Sequence, residues 1–327
     1  MISFLIRRSF AALVTVFVIS IVSFIIIQLP PGDFLTTYAA NLSAMGERVS
    51  DQILINIRET YGLGQPVYIQ YFKWMKGIAH GDFGQSMEWG VPVNTLIWHR
   101  LRLTVLVGLS SILFVWVFAI PIGVFSATHQ YSAGDYLFTF LGFLGLAIPN
   151  FLFALVVMWV AWSAFGQNVG GLYSPQFQNA AWSLDKFVDL LKHLLIPMIV
   201  IGTAGSAGLI RTMRANMLDE INQAYVETAR AKGLSEVRLI WKYPVRVALN
   251  PFVSTVGYAL PSLIGGIVIT AVVLNLPTIG PLLLEALLSQ DMYLAGAIVL
   301  LISILTVVGT LISDILLAVL DPRIRLE

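Results

Sequence analysis

The sequence has no cysteine, little charge and few histidines. Because none of its 327 residues is a cysteine, disulfide bonds and thiolate metal sites are excluded. Charged residues make up 11% of the chain and the net charge is +1, which indicates no basic surface for nucleic acid. The four histidines are not spaced as metal ligands are; they are His80, His99, His129 and His193. We therefore expect no metal site and no nucleic-acid partner.

The chain also lacks the nucleotide-binding loop G-x-x-x-x-G-K-[ST], whose backbone amides and lysine hold phosphates. No catalytic constellation is visible, and serines within apolar segments are more typical of helix packing than of nucleophiles. We expect a protein that is not an enzyme and holds no cofactor. Any energy from ATP would have to reach it through a partner.

Apolar residues are abundant instead. They form 57% of the chain, and the mean hydropathy is +0.83. About 20 apolar residues suffice to cross a bilayer, and six charge-free runs hold such a segment or nearly so: 9–32, 103–134, 136–184, 193–210, 247–284 and 292–313. The sequence predicts an all-α polytopic membrane protein with six transmembrane helices.

The predicted helices divide the chain into four regions. Residues 1–29 form an N-terminal transmembrane helix, and 30–102 an external segment that folds as a small external domain. Residues 103–320 form a five-helix core that includes a cytoplasmic loop at 217–249, and 321–327 form a cytoplasmic tail. Arginines and lysines are concentrated in the short segments assigned to the inside, such as Arg7, Arg230 and Arg323, so both termini are expected in the cytoplasm.

Charge is dense only between Leu218 and Pro251, where the sequence is LDEINQAYVETARAKGLSEVRLIWKYPVRVALNP. Spacings of three and four predict a short amphipathic helix with one apolar stripe, formed by Leu218, Ile221, Tyr225 and Ala229. Glu227 and Arg230 are placed to pair on its surface. Gly233 is expected to end the helix, since glycine adopts positive φ without a Cβ penalty. A charged loop that merely fixes the topology is the simpler alternative.

The run ETARAKG, from Glu227 to Gly233, resembles the EAA motif of permeases in binding-protein-dependent ABC importers. Thr228 replaces the first alanine of that motif. The longer run YVETARAKGLSE is similar to the oligopeptide/dipeptide/nickel branch, as are PPGD at Pro30, the segment 61–87 and DPRIRL at Asp321. The resemblance therefore covers essentially the whole chain. It departs at Tyr243 and Pro244, where a His-Ala pair is expected.

This resemblance implies one permease subunit of an importer in a bacterial or archaeal plasma membrane. A homologous second permease would complete the pore, two ATPase subunits would bind ATP and magnesium, and an extracytoplasmic binding protein would deliver the solute. The motif implies a coupling helix seated in a groove of the ATPase, with Tyr225, Glu227, Ala229 and Gly233 as coupling residues. Peptide is the leading solute, with oligosaccharides, opines and nickel as alternatives. The sequence leaves open whether the second permease is a copy of this chain.

Other residues are candidates for the pore. Pro149 is expected to kink the third helix, and Gly205 and Gly208 let the fourth approach its neighbours closely. Asp314 is an acid inside a predicted span, although it could simply hold the sixth helix in place. With the first three it forms the candidate pore or gating set. Glu285 and Asp291 are candidates for the external mouth, facing a cationic solute or the binding protein.

Two further functions fit a polytopic membrane protein less well. An ion-coupled secondary transporter needs intramembrane acids or paired broken helices, for which Asp314 alone is thin support. An intramembrane enzyme lacks its motif. Aromatic residues around 61–74 favour a small core or an interfacial belt over a sugar-stacking platform; among them are Tyr71 and Trp74.

Overall fold

The computed structural model describes residues 2–28, 65–86, 88–166, 169–253 and 268–320. These residues are helical apart from short connections, and no β-strand occurs among them. The helices are α1 Ile2–Gln28, α2 Val67–Ala79, α3 Val93–Thr128, α4 Ala133–Ala147, α5 Asn150–Phe165, α6 Leu184–Ile221, α7 Ala224–Ala231, α8 Glu236–Lys242, α9 Pro244–Ala248, α10 Val268–Val273, α11 Ile279–Leu288 and α12 Met292–Leu320. The predicted all-α class is confirmed for this part of the chain.

Three helices are long and apolar enough to cross a membrane by themselves: α1, α3 and α12. Two bent helical segments also qualify if each crosses once, namely α4 with α5 and the two halves of α6. The described residues thus supply up to five spans. The predicted fifth helix, at about 250–275, falls mostly on residues 254–267, which lie outside the described part. The same holds for residues 30–64 of the predicted external segment and for the tail at 321–327.

The third predicted helix, expected at 136–162 with a kink, is broken instead. Ala133–Ala147 and Asn150–Phe165 meet at 103°, because Ile148 and Pro149 both adopt extended ψ values of 122° and 135°. Proline has no N–H to donate and pushes the residue before it out of the helical region. The helix restarts when the Phe153 amide donates to the Pro149 carbonyl at 3.0 Å.

The described chain forms two compact units. The first comprises Met1–Leu5, Thr104–Pro277 and Val308–Glu327, and the second comprises Ile6–Leu103 and Thr278–Val307. The core of the first unit is formed by α3, α6 and α9, with Met213, Met217, Val245 and Phe252 among its buried side chains. A Cβ on Gly123 would lie 2.5 Å from the Met213 Cβ, so only glycine permits this approach of α3 to α6.

The second unit has an aromatic core formed by α1, α2 and α12. Tyr71, Trp74 and Leu300 are buried there, and the Phe24 ring stacks on Trp74 with centroids 5.5 Å apart. The Tyr71 hydroxyl lies 2.8 Å from the Ser20 Oγ, within hydrogen-bonding distance. Tyr71 and Trp74 therefore belong to a small core, as predicted.

Candidate functional site

The charged stretch folds as three short helices rather than one. α6 ends at Ile221, the backbone turns at Asn222 and Gln223, and α7 begins at Ala224. The predicted stripe is therefore divided. Leu218 and Ile221 lie on α6 and pack into the core of the first unit, whereas the other half of the stripe lies on α7.

The inner face of α7 packs against α8. Val226 and Leu239 are fully buried and Ala229 is 5% exposed, and the three form one small apolar cluster. We call α7, α8 and the corner between them the α7–α8 hairpin. Ala229 therefore faces the inside of this hairpin rather than its outer surface, which the predicted stripe did not anticipate.

Gly233 forms the corner of the hairpin. Its φ is +80°, a conformation that glycine adopts freely and other L-residues rarely adopt. Its amide donates to the Arg230 carbonyl at 3.0 Å, closing the last turn of α7. A Cβ at this position would meet nothing within 4 Å. The predicted helix end at Gly233 is confirmed, and the requirement for glycine there is conformational rather than steric.

An exposed ion pair bridges the corner. The Arg230 Nε donates to the Glu236 Oε1 at 2.6 Å, and its Nη2 donates to Oε2 at 3.3 Å. These hydrogen bonds hold the pKa of the Glu236 carboxyl below its usual range. Arg230 thus pairs across the corner rather than with Glu227 on its own helix. Because both side chains are exposed, the pair orients the hairpin more than it stabilises it.

Tyr225 connects the hairpin to α6. Its hydroxyl donates to the Glu220 carboxylate near the end of α6, while its ring remains 40% exposed. Partial burial, and then the bond to Glu220, raise the pKa of this phenol. Tyr225 therefore stays protonated, and able to donate, throughout the physiological pH range.

The outer face of the hairpin carries an apolar pair that the sequence interpretation missed. Val237 is 72% and Trp241 is 50% exposed, and they are four residues apart on α8, on one face. Tyr225, Glu227 and Gly233 are also exposed. The signal in the sequence is helical spacing within 236–242. On such a helix Val237 and Trp241 lie on one face, and Leu239, which is buried, lies on the opposite face.

α9 joins the hairpin to the core. Pro244, Val245 and Ala248 are buried, and the last two belong to the core built with α3 and α6. Pro244 occupies the first position of α9, where its missing N–H costs no helical hydrogen bond. The Tyr243-Pro244 departure from the motif therefore coincides with the start of α9.

The candidate gating residues lie on other helices. A cavity of about 210 Å³ separates the α4–α5 break from α6, with Ile148, Asn150 and Thr203 among its lining residues. α6 bends by 52° between Thr203 and Gly205. Pro149 and Gly205 thus lie next to two neighbouring bends.

The other two candidates, Gly208 on α6 and Asp314 on α12, do not lie at a bend. A Cβ on Gly208 would meet nothing within 4 Å, so no close helix contact requires this glycine. Asp314 is half-buried on α12. Its neighbour Ser313 donates to the Val253 carbonyl at 3.0 Å, which fixes this turn of α12.

The two candidate mouth residues differ sharply. Glu285 is exposed on α11, whereas Asp291 is fully buried. Asp291 accepts hydrogen bonds from the Ser86 hydroxyl at 2.5 Å, the Glu88 amide at 3.3 Å and the Leu294 amide at 3.1 Å. In this structure Asp291 caps α12 and holds Ser86 and Glu88, so its position differs from the one expected for a residue that meets a solute.

Comparison with known proteins assigns the family. The model described as "Binding-protein-dependent transport system inner membrane component" matches residues 119–326, and a companion model of the N-terminal part of such components matches residues 1–107. The oligopeptide transport system permease protein AppB of Bacillus subtilis is 38% identical over 326 residues, which cover 99% of this chain and 100% of that protein.

Two further relatives agree along their whole length. They are the dipeptide transport system permease protein DppB of Alkalihalophilus pseudofirmus and the oligopeptide transport system permease protein OppB of Haemophilus influenzae. Each is 30% identical, with 99% of this chain and 100% of the relative covered. With both family models and these full-length relatives in agreement, the chain belongs to the inner-membrane permease components of binding-protein-dependent transport systems.

Proposed function

We propose that the chain forms half of the translocation pore of an ATP-driven peptide importer. Membership of the permease family makes it a transport subunit, with ATP hydrolysis left to partner subunits. The relatives described above are named for oligopeptide or dipeptide transport, which favours peptide over oligosaccharide, opine or nickel. A binding protein outside the inner membrane would deliver the peptide.

The proposed assembly has a homologous second permease and two ATPase subunits that bind ATP and magnesium. Both chain termini would face the cytoplasm, and so would the α7–α8 hairpin. The external domain would extend over residues 30–102. The first region, 1–29, would anchor it, and the core from 103 to 320 would line half of the pore.

The observation that carries this proposal is the construction of the α7–α8 hairpin. Its inner face is closed by Val226, Ala229 and Leu239, so the hairpin has a small apolar core of its own. Its outer face exposes Trp241 and Val237, an apolar pair of the kind that protein partners cover. Such a surface suits a groove of the ATPase.

The transport cycle would use this hairpin as the mechanical link. When ATP closes the ATPase dimer, the groove moves and carries the hairpin with it. ATP drives this step only as far as it binds the closed state more tightly than the open one. Rigid-body motion of helices then changes the side of the membrane to which the pore opens.

We assign the gating motion to the neighbouring bends of α4–α5 and α6. Pro149 lies at the first bend and Gly205 directly after the second, and a cavity between them leaves room for movement. Gly208 lies one turn further along α6. Asp314 would hold α12 in place, and Glu285 remains the candidate for the external mouth.

The test combines association with transport. The chain is co-expressed with its ATPase and second permease, purified in mild detergent and assayed for labelled peptide uptake into liposomes. Trp241→Ala removes the exposed ring. We expect ATPase association to weaken by tenfold or more, since tryptophans at the centre of interfaces contribute about 2 kcal/mol or more.

Trp159→Ala is the matched control, because Trp159 is 68% exposed but lies on the apolar helix α5. It should leave the ATPase bound. Equal association of both variants with the ATPase would exclude the hairpin as the docking surface. Uptake that follows an ion gradient without ATP would replace the importer by a secondary transporter.

A further inference from the structure

A second cavity, of about 260 Å³, lies between α4 and α6 in the first unit. Its lining changes along its length. One end carries Arg211 and Arg214 of α6, together with Tyr131 before α4. The remaining lining is mostly apolar and aromatic, with Phe143 and Leu146 as examples. The cavity therefore offers a cationic mouth and an apolar interior.

The two arginines at the mouth differ in their hydrogen-bond and ion-pair partners. Arg214 donates from Nε and Nη2 to the two oxygens of Asp135, at 3.1 Å and 2.9 Å. Asp135 is buried and also accepts from the Tyr131 amide at 3.1 Å. This pair is neutral as a whole and fixes the mouth. Arg211 is exposed, and its guanidinium has no hydrogen-bond or ion-pair partner among the residues that the structure describes. It supplies the net positive charge.

The interior suits a flexible chain better than a compact solute. Its volume is below the roughly 300–1,000 Å³ of pockets that enclose drug-sized ligands. A Cβ added to Gly142 would lie 3.7 Å from the Ala207 Cβ, so α4 and α6 come close there. A narrow apolar slot of this kind admits an acyl chain.

The position of the mouth follows from the chain path. α4 begins at Ala133, just after Tyr131, and α6 continues from Arg211 to the hairpin. In the proposed orientation, on which this inference rests, both points lie at the cytoplasmic end of their helices. The cytoplasmic leaflet is the one rich in anionic lipid, and basic pockets between helices on that side bind anionic headgroups.

We propose that this cavity binds an anionic phospholipid. One acyl chain fills the apolar slot between α4 and α6, and the phosphate lies against Arg211. The exposed rings of Tyr131 and Tyr136 flank the headgroup, as tyrosines do at membrane interfaces. The site shares no lining residue with the α7–α8 hairpin or with the cavity beside the two bends.

Native mass spectrometry of the full-length purified chain tests the proposal. The chain is titrated with phosphatidylglycerol and with phosphatidylcholine of the same acyl chains. We expect a preferred phosphatidylglycerol adduct. Arg211→Gln should weaken that adduct about fivefold, the effect of one basic residue near an anionic surface. Arg246→Gln, which removes an exposed arginine from α9, should not.

A second pair of variants tests the slot without changing charge. Thr139 is an exposed residue that lines the cavity, so Thr139→Trp fills the slot while both arginines remain. It should displace the phosphatidylglycerol adduct. Leu137→Trp is its control, because Leu137 is equally on α4 and 53% exposed but does not line the cavity.

Three results would overturn the lipid site. They are equal binding of the two phospholipids, an unchanged adduct in Arg211→Gln, and binding of glycerol phosphate as strong as that of phosphatidylglycerol, which would make the site a simple anion site. Loss of the adduct when the second permease co-purifies would instead assign the cavity to that subunit. Peptide uptake is measured separately, on the complete importer in liposomes, so failure of the lipid site leaves the proposed transport function to be decided by that assay alone.

Discussion

Gly233 allows the conformation of the α7–α8 hairpin to be perturbed without touching any contact. Its φ is +80°, and an added Cβ would meet nothing within 4 Å. Substitutions there therefore differ only in how readily the new residue adopts a left-handed backbone. Asparagine does so most easily, alanine less, and a β-branched residue least.

The expected magnitudes follow from that order. A left-handed conformation costs an ordinary L-residue about 1–2 kcal/mol, and strained conformations in general cost about 1–3 kcal/mol. The small cluster of Val226, Ala229 and Leu239 has to supply this energy locally. A cost of one or two kcal/mol changes the ratio of open to closed hairpin by a factor of about 5–30.

Hydrogen–deuterium exchange measures this opening directly. In Gly233→Val, amides of α7 and α8 should exchange about 5–30 times faster than in the parent chain, whereas Gly233→Asn should stay within about threefold by the ease with which asparagine adopts this region. α3 and the first half of α6 should not change. Association with the ATPase should fall in the order glycine, asparagine, alanine, valine. Equal exchange in the valine and asparagine variants would refute the reasoning, because backbone conformation would then not hold the corner.

Three further predictions test the surroundings of the hairpin and the second unit. Ala229→Leu should overpack the hairpin and cost about 1–3 kcal/mol, with faster α7 exchange and weaker ATPase association, whereas Ala231→Leu, exposed on the same helix, should do neither. Asp291→Ala should lower the free energy of unfolding by about 1–3 kcal/mol, because the buried Ser86 hydroxyl loses its acceptor; Glu285→Ala, on the exposed face of α11, should stay within about 0.5 kcal/mol in the same thermal melts. Tyr225→Phe should weaken the link to Glu220 by at most about 1 kcal/mol, since the ring is 40% exposed. The raised pKa of Tyr225 keeps the stability from this bond fully present below the ordinary tyrosine pKa and loses it only as the pH rises through the raised value, so uptake by the variant relative to the parent should be the same at pH 6 and pH 8.5.

The all-α fold class and the corner at Gly233 were predictable because both depend on local sequence. Long apolar runs favour helices in a bilayer, and glycine followed by leucine after an amphipathic run is typical of a helix end. The extent of the break at Pro149 was not predictable. A proline determines which hydrogen bond is lost, but the resulting angle depends on what the two halves pack against.

The divided stripe has a different cause. Leu218, Ile221, Tyr225 and Ala229 keep helical spacing, yet nothing in that spacing shows the two-residue turn at Asn222. Burial of Asp291 was equally hidden, because its partner Ser86 is 205 residues away in the sequence. The sequence placed Asp291 at the external mouth, but this long-range pairing determines that its carboxylate is buried.

The contacts of the α7–α8 hairpin also determine how a movement of the hairpin would reach the rest of the chain. A docking element that was loosely attached would follow the ATPase without moving the pore. Here two links oppose such slippage: the Tyr225 bond to Glu220, and α9, which contacts α8 and buries Val245 among the side chains of α3 and α6. In the proposed importer, a displacement of the hairpin would therefore reach the end of α6. Along α6, close packing resists bending at Gly202, where an added Cβ would lie 2.5 Å from Phe114, and at Met213 against Gly123. Between these two contacts the helix bends at 203–205, beside a cavity that leaves space for movement. Because packed contacts shift between discrete arrangements and do not stretch, the bend is the part of α6 with room to absorb the displacement.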